Sequence, residues 1–217
     1  HLPATYVEKE DEAQTLIITL YDDVIDTKLQ LSYTIYHDLP VITRNAFIIN
    51  CGQQSLRLNQ IMSMSLDLPD QDYEMIELCG SWSRERSIKT RKLVEGIQSI
   101  YSLRGCSSHQ FNPFIALKRK NCNECTGEVL GFSFVYSGNF LAQVEVDNYH
   151  VSRVLMGIHP HGFEYVLNHL DSFQSPEVVM VYSNQGLNKM SQTYHQLYQN
   201  KPEHLSNQVP CLKDHIS

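Results

Sequence analysis

The sequence predicts an all-β protein, a large antiparallel β-sandwich of two broad sheets with one C-terminal helix. Short apolar runs recur along most of the 217 residues. Several runs alternate apolar with polar residues, as residues 29–36 do, and this is the period of a strand with one buried face. Turn residues such as Asp38, Pro40, Asn50 and Gly52 separate the runs. Many short strands between turns are typical of a sandwich.

The predicted strands follow each other closely along the chain. Asn-Cys-Gly at residues 50–52 predicts a tight, hairpin-type turn after the third strand. The polar segment 118–127 predicts a hairpin loop between two later strands. The strands are predicted at residues 16–20, 29–36, 41–49, 56–59, 61–67, 74–78, 88–93, 97–103, 114–117, 129–136, 140–146, 151–158, 163–167 and 178–182.

One segment, residues 186–198, has a helical period and predicts the single helix. We therefore predict one sandwich domain over residues 1–200 and a polar tail over residues 201–217. The apolar residues that recur at helical spacing are Leu187, Met190, Tyr194 and Leu197.

Composition excludes several classes of function. With 42% hydrophobic and 19% charged residues, the chain is typical of a globular protein. A formal net charge of −7 argues against nucleic-acid binding, which needs a basic surface. We find no apolar run long enough to cross a bilayer and no secretory signal at the N-terminus. We expect a cytoplasmic protein with mostly reduced cysteines, and, without an initiator Met, a piece of a longer one.

The single tryptophan, Trp82, is the most informative residue for function. Gly80 and Ser81 precede it, and Arg84, Glu85 and Arg86 follow it, between two predicted strands. Such an indole is either an apolar plug at one end of a sandwich or a platform for a sugar ring. Composition favours the plug, because most large aromatic side chains are buried.

Two short motifs suggest metal ligands, and neither is complete. Cys122 and Cys125 have the C-x-x-C spacing of a zinc ribbon, but a structural zinc site needs a second such pair. His159 and His161 could share one face of a strand, although a third ligand would have to come from elsewhere. We therefore expect no metal and no cofactor, with the histidines in a solvated turn.

Two further motifs resemble a catalytic pair and a calcium-binding loop, and both are incomplete. Ser107 and His109 resemble part of a nucleophile pair, but no G-x-S-x-G elbow is present. Asp67, Asp70 and Asp72 resemble a calcium loop, but the sixth position is Asp72 instead of Gly and the twelfth is Leu78 instead of Glu. We expect a solvated acidic loop there, and no catalytic residue in the chain.

Several stretches resemble one family, family 36 of the glycoside hydrolases, in particular the N-terminal domain of the microbial alpha-galactosidases (melibiases). The longest and most specific stretch is Gly-Phe-Ser-Phe-Val-Tyr-Ser-Gly-Asn-Phe-Leu-Ala-Gln-Val-Glu-Val-Asp at residues 131–147. The motif around Trp82, Gly-Ser-Trp-Ser-Arg-Glu-Arg, is another. The matching stretches are residues 2–8, 41–44, 63–67, 80–86, 107–110, 112–114, 131–147, 172–177 and 186–192.

The resemblance implies a fold and an activity. The fold is a β-supersandwich that precedes a (β/α)8 catalytic barrel. The activity is hydrolysis of terminal alpha-D-galactosyl residues, as in melibiose and raffinose, with retention and without a metal. Retention uses two carboxylates about 5 Å apart, which in the family are aspartates of the barrel. The resemblance also implies a homotetramer in which the sandwich packs between subunits.

The chain departs from the family in ways that bear on activity. The family's sequence before Leu2 is missing, and the match ends after Tyr198. We therefore expect the barrel and both catalytic aspartates to be absent, residues 201–217 to be a divergent tail, and the chain alone to be inactive. His159-Pro-His-Gly-Phe163 stands where family members carry Asn-Pro-Phe-Asp-Phe.

One functional residue transfers from the family by its motif. The resemblance implies that Trp82 lies on a sandwich loop that reaches the barrel mouth and contacts the sugar, while Arg84 and Arg86 brace the loop. The expected partners are the galactoside and the barrel of the parent enzyme. Two alternatives remain open from the sequence, a free-standing carbohydrate-binding module and a structural or oligomerisation sandwich.

Overall fold

The computed structural model describes residues 12–81, 84–106 and 110–199. Within these residues the chain forms fifteen strands and one helix, so the predicted all-β class with a C-terminal helix is confirmed. The strands are β1 (Ala13–Asp22), β2 (Thr27–Tyr36), β3 (Val41–Asn50), β4 (Leu56–Leu58), β5 (Met62–Leu68), β6 (Tyr73–Ser81), β7 (Arg84–Lys92), β8 (Gly96–Tyr101), β9 (Phe111–Arg119), β10 (Val129–Phe134), β11 (Phe140–Val146), β12 (Ser152–Ile158), β13 (Tyr165–Leu167), β14 (Ser172–Gln174) and β15 (Val178–Ser183), and the helix is α1 (Gly186–Gln199).

The strands form two facing sheets and one small ribbon. The larger sheet has nine strands in the order β1-β2-β3-β15-β10-β9-β6-β7, with β14 paired to β3. The second sheet has four strands in the order β5-β12-β11-β8, and β4 pairs with β13 in the ribbon. Every strand pair in these sheets is antiparallel.

Alternation along each strand of the larger sheet divides its side chains between two cores. Phe132 and Phe134 of β10 belong to the core between the two sheets, together with Met156 and Phe140 from the four-stranded sheet. Val129 of the same strand belongs to the second core, under α1. The described residues thus form three layers, the four-stranded sheet, the nine-stranded sheet and the helix.

Helix α1 ends one residue later than predicted and packs with the predicted face. Met190, Tyr194 and Leu197 are buried against the larger sheet. The hydroxyl of Tyr194 donates a hydrogen bond to the carbonyl of Val179 over 3.1 Å. Gly131 makes the close packing possible, because a Cβ there would lie 2.7 Å from the Met190 sulfur.

The four-stranded sheet covers only part of the larger sheet. The two sheets therefore differ in size, whereas two broad sheets were predicted. One row of neighbouring residues, Leu16, Tyr33, Arg44 and Val178, crosses β1, β2, β3 and β15. Val178 is fully buried, whereas Leu16 is 61% exposed. Arg44 donates to the carbonyl of Ser65 on β5 over 2.9 Å, so the cover reaches β3 and leaves β1 open among the described residues.

The structure differs from the sequence prediction in a few strands. Residues 84–87 belong to β7, and their polar composition hides the strand period because β7 lies at the sheet edge. β14 (Ser172–Gln174) is a short strand that was not predicted. The turn at residues 50–52 is no hairpin, because β4 pairs with β13 instead of returning along β3.

Candidate functional site

The β6–β7 hairpin carries the predicted substrate-binding residue. Its last described pair joins Ser81 to Arg84, with an irregular register between Cys79 and Ser81. Trp82 and Ser83 stand between these strands in the sequence and lie outside the described residues. The structure therefore describes the strands that flank Trp82, and contact of the indole with sugar stays a prediction.

Strand β9 connects this hairpin to a neighbouring loop. Cys79 of β6 pairs with Phe111 of β9, and the backbone N–H of Gly80 donates to the carbonyl of Gln110 over 3.1 Å. Gln110, just before β9, therefore lies beside the end of the hairpin. Ser107 and His109 of this loop, the resembled nucleophile pair, lie outside the described residues.

An open groove of about 230 Å³ lies at this loop. This volume is below the range of pockets that enclose a small-molecule ligand, roughly 300–1,000 Å³. The groove alone therefore provides a shallow surface and not a closed site. Its lining residues are Tyr101, Ser102, Leu103, Arg104, Gln110 and Phe111.

Hydrogen bonds hold the first half of the loop in a defined shape. The hydroxyl of Ser102 donates to the carbonyl of Cys106 over 2.7 Å. The N–H of Gly105 donates to Oδ1 of Asn139 over 2.7 Å. Gly105 has a φ of 80°, which glycine adopts without strain. These residues are predicted in a loop from the sequence, but the contact with Asn139 was not predicted, because it joins residues 34 positions apart.

The two histidines predicted in a turn lie next to the groove. The rings of His159 and Tyr101 meet edge to face with centroids 5.5 Å apart. The N–H of His161 donates to Nδ1 of His159 over 3.0 Å. Burial, and to a smaller degree the charge of His161, holds the pKa of His159 below its ordinary value. His161 is exposed, as expected, while His159 is half-buried.

The two cysteines of the C-x-x-C motif lie in the loop between β9 and β10. Cys122 is buried and Cys125 is exposed, and burial raises the pKa of the Cys122 thiol. The loop contacts the start of α1, since the N–H of Leu187 donates to the carbonyl of Asn123 over 3.0 Å. In the part of the chain that the structure describes, no three His, Cys, Asp or Glu residues converge as metal ligands.

The three aspartates that resembled a calcium loop bind basic side chains instead of facing solvent alone. Asp70 and Asp72 pair with neighbouring residues at the end of β9, whereas Asp67 pairs with a residue of β12. The three carboxylates form no metal-binding group among the described residues. The pairs are Asp67–Arg153 at 2.6 Å, Asp70–Arg119 at 2.6 Å and Asp72–Lys120 at 3.0 Å.

No helix among the described residues has both the length and the apolar character needed to span a membrane.

Comparison with sequence families gives two adjoining matches. The model of the glycosyl hydrolase family 36 N-terminal domain matches residues 1–168. The melibiase model matches residues 172–214. This match extends beyond Tyr198, the residue after which the resemblance noted in the sequence ends.

Two similar proteins are alpha-galactosidases. The chain is 58% identical to alpha-galactosidase AgaA of Geobacillus stearothermophilus over 200 residues, which cover 92% of this chain and 27% of the relative. It is 45% identical to alpha-galactosidase Mel36A of Lactobacillus acidophilus over 196 residues, or 90% of this chain and 27% of the relative. The chain thus spans about 27% of the length of these relatives.

Solved structures agree with the sequence matches. The crystal structure of a doubly substituted variant of AgaA from Geobacillus stearothermophilus in complex with raffinose superimposes with a TM-score of 0.90 and 58% identity, over 91% of this chain and 28% of that one. A complex of another doubly substituted variant with stachyose gives a TM-score of 0.89 at the same identity and coverage. The chain therefore belongs to glycosyl hydrolase family 36, and its residues 1–168 match the N-terminal domain of that family.

Proposed function

We propose that this chain is the N-terminal part of an alpha-galactosidase that hydrolyses terminal alpha-D-galactosyl residues of galacto-oligosaccharides with retention. The observation that carries the proposal is the match to AgaA, 58% identical over 92% of this chain. Melibiose and raffinose are the expected substrates, and a variant of AgaA has been crystallised with raffinose.

The proposed role of the domain is to support the catalytic barrel and to supply one wall of its pocket. The β6–β7 hairpin is suited to this role, because β9 holds it on one side through the Cys79–Phe111 pair. Trp82 would stand at the end of this hairpin and pack its indole against the galactosyl ring. Arg84 and Arg86 would brace the loop.

The chain alone is expected to be inactive, with no catalytic residue of its own. We place the sandwich domain at residues 1–200 and a divergent tail at residues 201–217, although the melibiase model matches as far as residue 214. We place the barrel with both catalytic aspartates outside residues 1–217. Asp67 does not replace them, since it is exposed and paired with Arg153. A purified chain incubated with a chromogenic alpha-galactoside should release no chromophore above buffer, and turnover would contradict this part of the proposal.

The proposal also includes the protein partners and the cellular location of the parent enzyme. The barrel of the parent enzyme and further subunits of a homotetramer are the proposed protein partners. We place the enzyme in the cytoplasm, since the five described cysteines are free thiols, the state that reducing compartments maintain.

A chimera tests the proposed role directly. Residues 1–200 would replace the matching segment of AgaA, and raffinose hydrolysis would be measured. We expect an active enzyme in which Trp82→Ala lowers kcat/KM by about tenfold or more, the loss expected when an aromatic contact to the sugar is removed. Trp82→Phe, which keeps an aromatic face, is the matched control. If Trp82→Ala leaves kcat/KM of a folded chimera unchanged, the proposed role of this residue is refuted.

The alternative of a free-standing sugar-binding module makes a different prediction. Trp82 is the only tryptophan, so its fluorescence reports on that residue alone. A saturable change during titration of the isolated chain with galactose or raffinose would favour the module. An unchanged spectrum would favour a domain that works only beside the barrel.

A further inference from the structure

We propose that Cys122 and Cys125 form a reversible thiol–disulfide site that controls how firmly the first turn of helix α1 is held. Both residues are free thiols in the structure. A small disulfide such as oxidised glutathione joins them in one intramolecular bond and reshapes the loop on which α1 begins. The inference does not depend on the proposed hydrolysis of galactosides.

The loop between β9 and β10 binds the start of α1. The first N–H groups of a helix have no partner within the helix, and three N–H groups here donate to carbonyls of this loop. The pairs are Gly186–Gly127 at 2.9 Å, Leu187–Asn123 at 3.0 Å and Asn188–Glu124 at 3.0 Å. Two of the acceptors, Asn123 and Glu124, are the residues between the two cysteines. A change of backbone shape between the cysteines therefore acts directly on α1.

The turn between the cysteines is tightly closed. The N–H of Asn123 donates to the carbonyl of Thr126 over 2.9 Å. The N–H groups of Cys125 and Thr126 donate to Oδ1 of Asn123 over 2.8 Å and 3.0 Å. A Cβ on Gly186 would lie only 2.5 Å from the carbonyl oxygen of Asn123. Because the turn and the helix are in such close contact, the turn does not change shape without moving the start of the helix.

The two thiols have opposite surroundings. Cys122 is 5% exposed and packs in the core under α1 with Val129, and its Sγ donates to the carbonyl of Asn123 over 3.7 Å. Cys125 is exposed. A disulfide requires the two sulfurs to lie about 2 Å apart. Its formation brings a buried and an exposed side chain together, so the disulfide and the three hydrogen bonds to α1 compete for the shape of the turn.

The exposure of Cys125 makes it the first thiol to meet an oxidant. Its thiolate attacks one sulfur of oxidised glutathione, the S–S bond breaks, and one glutathione thiolate leaves. Cys122 then loses its proton to solvent and attacks the Cys125 sulfur, which releases the second glutathione. Two protein thiols are thus oxidised by two electrons, and one glutathione disulfide is reduced to two thiols. Burial raises the pKa of the Cys122 thiol, so the second step is the slower one.

Mass spectrometry tests the site. The 217-residue chain is incubated with oxidised glutathione, its remaining thiols are alkylated, and it is digested with trypsin. Cleavage after Lys120 and Arg153 gives one peptide, residues 121–153, that holds Cys122 and Cys125 and no other cysteine. We expect this peptide first with one glutathionyl group and then as the internal disulfide, lighter than the dithiol by two hydrogens. Excess reduced glutathione should restore the dithiol. A peptide that never passes beyond the glutathionyl form would overturn the proposal.

Amide hydrogen exchange followed by NMR tests the coupling to α1. We expect the amides of Leu187 and Asn188 to exchange about tenfold faster in the oxidised chain, as local opening becomes easier, while amides of β15 keep their rates. Cys125→Ser should abolish this acceleration. Cys106→Ser, which removes another exposed thiol, is the matched control and should behave like the wild type. An internal disulfide without faster exchange, or equal effects of the two serine variants, would overturn the coupling.

Discussion

The guanidinium of Arg91 donates a hydrogen bond to the carboxylate of Glu77 inside the sandwich. Glu77 is only 7% exposed, whereas the Arg91 side chain is 39% exposed. Arg91 also donates to the carbonyl of Ser99 on β8 over 3.2 Å. The pair thus joins the edge of the larger sheet to the edge of the four-stranded sheet, close to the strand that leads into the groove.

Removal of Arg91 should destabilise the protein. Arg91→Met leaves the buried Glu77 carboxylate without its cation, and we expect the free energy of unfolding to fall by about 2 kcal/mol, less than for a fully buried pair because Arg91 is partly solvated. Urea unfolding followed by circular dichroism measures the loss. Lys92→Met, an exposed change on the same strand, is the control. Glu77→Leu added to Arg91→Met should restore part of the stability, and a further loss instead would contradict this account.

Gly131→Ala should loosen the helix from the sheet. The added Cβ would lie 2.7 Å from the Met190 sulfur and 2.9 Å from Cε2 of Tyr194. Overpacking of this kind costs about 1–3 kcal/mol, measurable by urea unfolding. Met190→Ala removes one of the two obstacles, so the double variant should be more stable than the sum of the single effects implies. Strict additivity would show that α1 does not need the glycine.

The pKa of His159 gives a prediction about pH. Burial, and then the charge of His161, lowers it, so the folded state favours the neutral ring. The unfolded chain binds more protons once the pH falls below the ordinary histidine pKa of about 6.5. The stabilisation from His159 is therefore complete above that pH and is lost as the pH falls through the lower pKa of the folded state.

NMR titration of the His159 ring measures this effect. The midpoint should lie below 6.5, the ordinary value. His161→Ala should raise the midpoint without restoring the ordinary value, because burial is the larger cause. His159→Phe should reduce the pH dependence of unfolding between pH 7 and pH 5. A His159 midpoint at or above the ordinary value would refute the prediction.

The open end of the larger sheet should make the isolated chain associate. Among the described residues β1 pairs only with β2, and Leu16, Ile18 and Leu20 on one face are 61%, 41% and 49% exposed. Unpaired edges with apolar faces favour pairing with other strands. Analytical ultracentrifugation should show mass rising with concentration, and Ile18→Lys should suppress this rise.

Tyr149→Lys, an added charge on a distant exposed turn, is the control for Ile18→Lys and should leave the association unchanged. A wild-type chain that stays monomeric at high concentration would contradict the prediction. Equal suppression by both lysine variants would show that net charge, and not the edge of β1, controls association.

Local sequence signals predicted much of the fold, and the failures have physical causes. The helix was predicted to within one residue because the spacing of Met190, Tyr194 and Leu197 matches its turn. The start of β7 was missed because an edge strand has few buried side chains to mark its period. The turn at residues 50–52 was misassigned because turn residues show that the chain bends and not which strand it pairs with next.

The candidate site, like the fold, could be predicted from the sequence only in part. The motif around Trp82 pointed to the β6–β7 hairpin, since its neighbours in the chain form one local structure. The groove could not be predicted, because Asn139, His159 and Tyr101 come from separate strands and loops. The aspartates at residues 67–72 were expected to face solvent, and only the fold revealed their pairing with Arg153, Arg119 and Lys120.

The sequence by itself determined the all-β class, the helix and the family, because periodicity and motif spacing are properties of neighbouring residues. Only the tertiary structure decided that the four-stranded sheet leaves β1 uncovered. It alone joined Gly80 to Gln110 and so placed the groove beside the hairpin of Trp82. Pairing between distant strands depends on which apolar faces meet in the folded chain, and no local sequence pattern determines this pairing.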